Sequence, residues 1–341
     1  MENGVSVVLC CYNSSKMLPE TLEHLCNQNV NPEINWEIII VNNSSTDETV
    51  EIAEKILRQK SPVAYRIINE SRPGLSFARK SGIENAVYAF IIFCDDDNHL
   101  NPDYVNVSYE IMSSRQEIGA AGGISESKSR IKLPAWFEEH KQNYSVGKQA
   151  EVSGDITNVN IALWGAGMVI RTEAAKYLYS KGFKSMLTDR KQGELSSGGD
   201  SEFCFAFRLA GYKIIYDERL NLKHFLPDFR LNWNYLRKLS RAFGAQKIYF
   251  EPYLKKLNVN SSIPFKENHW SKEAFRLLKK LRQYGLKKLL KMNKLSEGDW
   301  EQLRIEKTIG RLQEILKIRN RYNKNFILLE QAEWMKKIIL K

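Results

Sequence analysis

Apolar residues gather in short runs along the first hundred positions, with polar turns between them. Val5–Cys10, Trp36–Val41, Ala64–Asn69 and Ala89–Cys94 are rich in Val, Ile or Phe. Such runs read as strands, the strongest of them covered on both faces. The stretches between have helical spacing. One helix is expected from about Met17 to Gln28, capped by Ser14 or Ser15, and a second through about Gln59, capped by Thr46 or Asp47. Ser76–Ala86 and Tyr104–Ser113 complete the series. Strand and helix in strict alternation predict an α/β fold, a mostly parallel sheet with helices on both faces. Ligands of such sheets bind where the strands end. The Asn42-Asn43-Ser44-Ser45 turn and the Asp95-Asp96-Asp97 cluster both fall there.

The pattern changes further on. Residues 119–227 mix strands such as Lys213–Tyr216 with helices and with polar loops at Ser125–Lys132 and Thr188–Gly199. From about Asn232 the chain reads as helices. Ser271 is placed to cap one that carries Ala274, Leu278, Leu281, Leu289 and Met292 along one stripe. Lys279, Lys280, Arg282, Lys287, Lys288 and Lys291 lie on its other face. That is the pattern of a basic amphipathic helix. Two parts are expected: a catalytic domain over residues 1–229 and a basic helical region over 230–341.

Charge follows the same division. The 341 residues carry a net +11, but residues 1–229 hold −6 and residues 230–341 hold +17. A basic tail suggests an anionic surface as partner, either lipid or nucleic acid. The five cysteines lack metal-site spacing and sit mostly in apolar runs, as reduced thiols of a cytoplasmic protein do. No secretory signal opens the chain, and no apolar run approaches the roughly 18 residues that span a bilayer. The expected location is the cytoplasm, with the tail suited to the inner face of the membrane.

Candidate chemistry starts at the carboxylates. Three adjacent acids repel one another unless a cation offsets them, and hard oxygen ligands suit Mg²⁺ or Mn²⁺. The alternative is a solvated acidic turn. Cys11-Tyr12-Asn13, with Asn42 and Asn43, could form a nucleotide pocket in which an Asn amide meets a base edge. Those Asn could equally serve the turn backbone. Arg72–Gly82 is a glycine turn entering a helix, where free N–H groups attract anions and Arg79 could clamp a phosphate, or a plain helix start. Gly165-Ala166-Gly167 admits either a close ligand or tight packing. Asp200 is either a helix cap or a general base, and His224 either a metal ligand or a structural residue.

In order and spacing these segments resemble the family 2 glycosyltransferases, inverting enzymes of the nucleotide-sugar-binding GT-A fold, over about residues 4–227. The resemblance implies that Asp95-Asp96-Asp97 is the family's Asp-x-Asp motif. Asp97 would then bind the metal, and Asp95 would lie near the donor or in the metal shell. Asp200 would be the base with Glu202 in reserve, since Gly199 stands where the family has a second acid. His224 would sit near the metal and diphosphate. Asn42 or Asn43 replaces the acidic residue that meets the nucleobase, which loosens the assignment of UDP. The implied reaction is a single in-line displacement, with Asp200 activating an acceptor hydroxyl and the metal and Arg79 neutralising the leaving diphosphate. The acceptor would be a glycan, in many such enzymes one linked to a polyprenyl diphosphate, made for the cell envelope. Two rivals are a metal-dependent nucleotidyltransferase and a nucleic-acid-binding protein using the tail. The first lacks its glycine-rich N-terminal loop, and the second leaves the strand-edge acids unexplained, so no nucleic acid partner is expected.

Overall fold

A computed structural model of the protein describes residues 1–159, 162–187, 198–257, 269–285, 288–289 and 297–335. The first half follows the predicted alternation closely. Strands β1 (Glu2–Cys11), β2 (Trp36–Asn42), β3 (Tyr65–Asn69) and β4 (Tyr88–Cys94) alternate with helices α1 (Leu18–Cys26), α2 (Thr49–Lys60) and α3 (Leu75–Asn85). The remaining strands are β5 (Asn98–Leu100), β6 (Ile118–Lys128), β7 (Gly154–Asp155), β8 (Val169–Arg171) and β9 (Lys213–Phe225). They join one sheet in the order β3-β2-β1-β4-β8-β6-β9-β5, with β7 paired to β9.

The sheet is parallel only in part. β3, β2, β1 and β4 run parallel, but β8 is antiparallel to both β4 and β6, and β5 is antiparallel to β9. β6 extends through Lys128, so the loop expected at Ser125–Lys132 is half strand: Ser125–Lys128 pair with Leu222–Phe225. The polar side chains of Ser125–Lys128 hid that part of the strand from a reading based on apolar runs.

Side-chain alternation explains why both faces are covered. On β1, Val8 faces one way and Val7 and Leu9 the other, all fully buried. Val8, Ile91 and Phe93 pack with α3, with α6 (Thr172–Ser180) and with α7 (Gly199–Leu209). Val7, Leu9, Ile38 and Ile92 pack with α1, α2 and α4 (Tyr104–Ser114). Each such side chain stabilises the fold by about 1.5–3 kcal/mol. Gly82 lets α3 lie against β1, since a Cβ there would meet Val8 Cγ1 at 2.4 Å. All five cysteines are free.

The C-terminal helices pack onto this body. Beyond the short α5 (Phe137–His140) they are α8 (Trp233–Lys256), α9 (Trp270–Gln283), α10 (Trp300–Lys317) and α11 (Arg319–Glu330). Asn232 caps α8 by accepting from the Tyr235 N–H. Tyr253, Leu329 and Trp334 join the same apolar cluster as α7. α8 and α10 touch backbone to backbone: a Cβ on Gly244 would meet Lys307 O at 1.9 Å, and one on Gly310 would meet Arg241 O at 1.9 Å. The amphipathic helix is α9, capped by His269 instead of Ser271, because the imidazole Nδ1 accepts the Ser271 N–H. Its buried side is Ala274 and Leu277, while Leu278 and Phe275 are 53% and 70% exposed. The helical turn, not the longer stripe, decides which apolar residues reach the protein. Lys287, Lys291 and Met292 lie outside the described residues. Among the described residues no helix is long and apolar enough to cross a membrane.

Candidate active site

The ends of β1, β2 and β4 converge on a cavity of about 350 Å³. Cys11, Tyr12, Asn43, Arg79, Asp95–Asp97, Asp200, Glu202, His224 and Arg230 are among its lining. Asn13 (φ +52°) and Ser44 (φ +60°) take the left-handed conformation that lets the chain turn sharply off β1 and β2.

The asparagines brace these turns. Asn43 is buried. Its amide donates to Glu70 O and Arg72 O at 3.1 and 2.7 Å, and its carbonyl accepts from Gly74 N at 2.7 Å. Asn42 donates to Asn69 Oδ1 and accepts from Ser45 N, and Asn13 Oδ1 accepts from Thr46 N. These bonds suit the turn-bracing alternative for the asparagines. The anion-binding N–H expected at Gly74 is likewise held by Asn43. Cys11 is buried and offers its carbonyl to Asn43 N, whereas the Tyr12 ring is 40% exposed beside the cavity.

Beyond β4 the three acids diverge in character. Asp97 is 4% exposed. Its Oδ2 accepts from Arg230 Nη1 at 2.8 Å and lies 3.5 Å from His224 Nε2, and its Oδ1 accepts from Asn98 Nδ2 at 3.1 Å. Burial opposes its charge, but His224 and then Arg230 outweigh that and hold the carboxyl well below the usual range. Asp96 is pushed up to about 7, first by burial and then by the charge of Asp97. Its carbonyl accepts from Thr21 Oγ1 at 2.7 Å, which ties the loop to α1. Asp97 and His224 stand together, but Asp95 does not join them in a tight three-ligand group: among the described residues the one such trio is Glu20, His24 and His99. A carboxylate and an imidazole whose buried Nδ1 lacks a partner still fit a Mg²⁺ or Mn²⁺ ion that takes its other ligands from phosphate and water.

The same cavity is lined by Asp200, in the first turn of α7 after Gly198 (φ +110°). Its Oδ2 accepts the Gly165 N–H at 2.6 Å and its Oδ1 accepts the Ser201 N–H at 2.8 Å. The 5%-exposed Arg79 guanidinium stacks over the Phe93 ring and lies against Gly165 and Gly199. Glu202 is 1% exposed. It accepts from Ser185 Oγ, Met186 N and Tyr253 OH. The Tyr253 bond joins α7 to α8, and the three together give Glu202 a bracing role. Arg230 was missed because it lies on a short turn with no motif of its own. A second cavity, of about 890 Å³, shares Ser185 with the first and carries Lys181, Lys184, Lys317 and Arg321 on its walls. Thr188–Ser197 lie outside the described residues.

Comparison with known proteins agrees with this layout. The model of glycosyl transferase family 2 matches residues 6–178. A putative glycosyltransferase, EpsH of Bacillus subtilis, is 37% identical over 101 residues, 30% of this chain and 28% of that protein. TarS of Staphylococcus aureus, a poly(ribitol-phosphate) β-N-acetylglucosaminyltransferase, is 31% identical over 98 residues, 29% of this chain and 17% of its own. The matched parts thus span less than a third of these relatives. The crystal structure of TarS residues 1–349 with UDP-GlcNAc superposes with a TM-score of 0.51 at 17% identity, covering 96% of this chain and 92% of that one. The mannosyltransferase PcManGT of Pyrobaculum calidifontis, in complex with GDP-Man and Mn²⁺, gives 0.57 at 13% identity, covering 94% and 88%. These two likenesses establish the fold. The chain belongs to glycosyl transferase family 2.

Proposed function

We propose that this family member is an inverting glycosyltransferase that moves a sugar from a nucleoside-diphosphate sugar, with UDP the expected nucleotide, to a hydroxyl of a lipid-linked cell-envelope glycan. The observation that carries the reading is one cavity lined both by a braced carboxylate, Asp200, and by Asp97, His224 and Arg230. Two backbone N–H groups fix the Asp200 carboxylate. It accepts the proton of the acceptor hydroxyl as that oxygen attacks the anomeric carbon. The bond to the diphosphate breaks on the opposite face, so configuration inverts. Asp97 and His224 are the residues that would hold a divalent ion; when bound, such an ion neutralises charge on the leaving diphosphate. Arg230 adds positive charge beside Asp97. Arg79 lies beside Asp200 and supports its position.

Two features support the acceptor class. The adjoining cavity has basic walls, which suit a phosphate-bearing acceptor. On α9, exposed Phe275 and Leu278 stand among Lys272, Lys279, Lys280 and Arg282, a surface suited to an anionic bilayer. The decisive experiment screens UDP, GDP and CMP sugars with Mn²⁺ for binding, then compares wild type with Asp200→Asn. The variant should bind donor normally and release nucleoside diphosphate about 10²–10⁴-fold more slowly. Near-normal turnover would remove Asp200 as the base.

A further inference from the structure

Outside the cavity, α1 and β5 bring together Glu20, His24 and His99, none of which lines it. One ligand atom from each lies within 4.8 Å of the others. Glu20 and His24 are one helical turn apart on α1 and project side by side. The His24 and His99 rings stack with centroids 4.8 Å apart, 1° from parallel. His99 Nε2 is 3.9 Å from Glu20 Oε2, too far for a hydrogen bond. Lys128 takes the other oxygen, Oε1, and leaves Oε2 facing the rings. His99 is 2% exposed, and its Nδ1 has no hydrogen-bond partner. Buried polar atoms are rarely left so.

We propose that Glu20, His24 and His99 form a second divalent-metal site, separate from the acidic loop. Two imidazoles and one carboxylate suit a borderline ion of the Zn²⁺ class better than Mg²⁺. The ion would pin α1 to β5. Thr21, next to Glu20, donates to Asp96 O, and β5 begins directly after Asp97. Occupancy would thus stiffen the acidic loop from behind without contacting the donor.

The test uses the full-length protein, stripped of metal with a chelator and titrated with Zn²⁺, then with Co²⁺ as a spectroscopic probe, without nucleotide. Wild type should bind one equivalent and gain thermal stability. His24→Ala and Glu20→Gln should each weaken binding by at least about tenfold, while Asp97→Asn should leave it unchanged. Both substituted positions are partly exposed, and the glutamine keeps the shape of the residue beside Lys128. The proposal is overturned if wild type binds no Zn²⁺, if both folded variants keep wild-type affinity, or if Asp97→Asn abolishes binding. The last result would assign the ion to the acidic loop.

Discussion

Replacing Gly165 by alanine tests the Asp200 wall without removing a charge. A Cβ at residue 165 would stand 2.6 Å from Arg79 Nη2 and 3.1 Å from Asp200 Oδ2. Ordinary contact begins at 3.4 Å, so the guanidinium must retreat by about 0.8 Å and the carboxylate by about 0.3 Å. Arg79 has little freedom to do so, because it is 5% exposed and lies over Phe93. The N–H of residue 165 is retained, so the carboxylate keeps its donor but shifts. A misplacement approaching 1 Å in a catalytic arrangement costs up to about 10²-fold in rate, or roughly 2.7 kcal/mol of barrier. Added volume in a packed wall costs about 1–3 kcal/mol of stability.

The assay is release of nucleoside diphosphate at saturating donor, with calorimetric donor binding and a thermal midpoint alongside. Gly165→Ala should lose kcat by about 10- to 100-fold while donor affinity holds. Gly199→Ala is the graded control. Its Cβ would lie 3.3 Å from Arg79 Nη1, just inside ordinary contact, so its rate should fall only a few-fold. A folded Gly165→Ala enzyme with wild-type kcat would refute the placement of Asp200 and Arg79 at the reacting atoms. A loss confined to donor affinity would move them to the nucleotide side.

Asp97→Ala should abolish metal-dependent donor binding. It also leaves the Arg230 guanidinium without its carboxylate, so chemical denaturation should show about 3 kcal/mol of lost stability; an unchanged midpoint would mean that the pair is screened by water. Burial holds the His99 imidazole at about 4, against 6.5 for an ordinary histidine. The unfolded chain therefore binds the extra proton between those values. Stability should be complete above pH 6.5 and fall by up to about 3 kcal/mol as pH drops to 4, and His99→Asn should flatten that slope in urea titrations run with chelator. Gly310→Ala would drive a methyl into Arg241 O and should lower stability by about 3 kcal/mol, the upper range of overpacking, in a thermal melt; a neutral result would mean that α8 and α10 separate easily.

The sequence made the parallel half of the sheet legible because β1, β2 and β4 are buried on both faces and are therefore mostly apolar. Val7, Val8, Ile91 and Ile92 show this plainly. The other half was harder. Ser125–Lys128 forms a ladder with β9 although its side chains are all polar, and no hydrophobic period marks such a strand. The three acids stood out because they directly follow an apolar run, and Asp200 because it leads a glycine turn into an apolar helix. The roles of Asn42 and Asn43 were not, since an amide that reads a base and one that braces a turn have the same sequence. Only the partners Glu70, Arg72 and Gly74 tell them apart, and those lie some thirty residues away.

The tail shows the same limit from the side of charge. Its net +17 invites the inference of a broadly anionic partner, but not every cation of the tail is free to meet one. Arg237 and Arg241 both pair with Glu306, which is 2% exposed, and Arg311 pairs with Glu251 and Glu273. Arg230, the first residue of the basic region, pairs with Asp97 across the proposed boundary. These guanidiniums hold the helices together and complete the cavity wall, so they contribute little field to the outside. Exposed cations remain on several helices, Lys238, Arg304 and Lys324 among them, but α9 sets Lys272, Lys279 and Lys280 beside exposed Phe275 and Leu278. A lipid surface should therefore be sought first at that helix, where cations and apolar side chains stand together, and its affinity should follow those lysines in its dependence on salt.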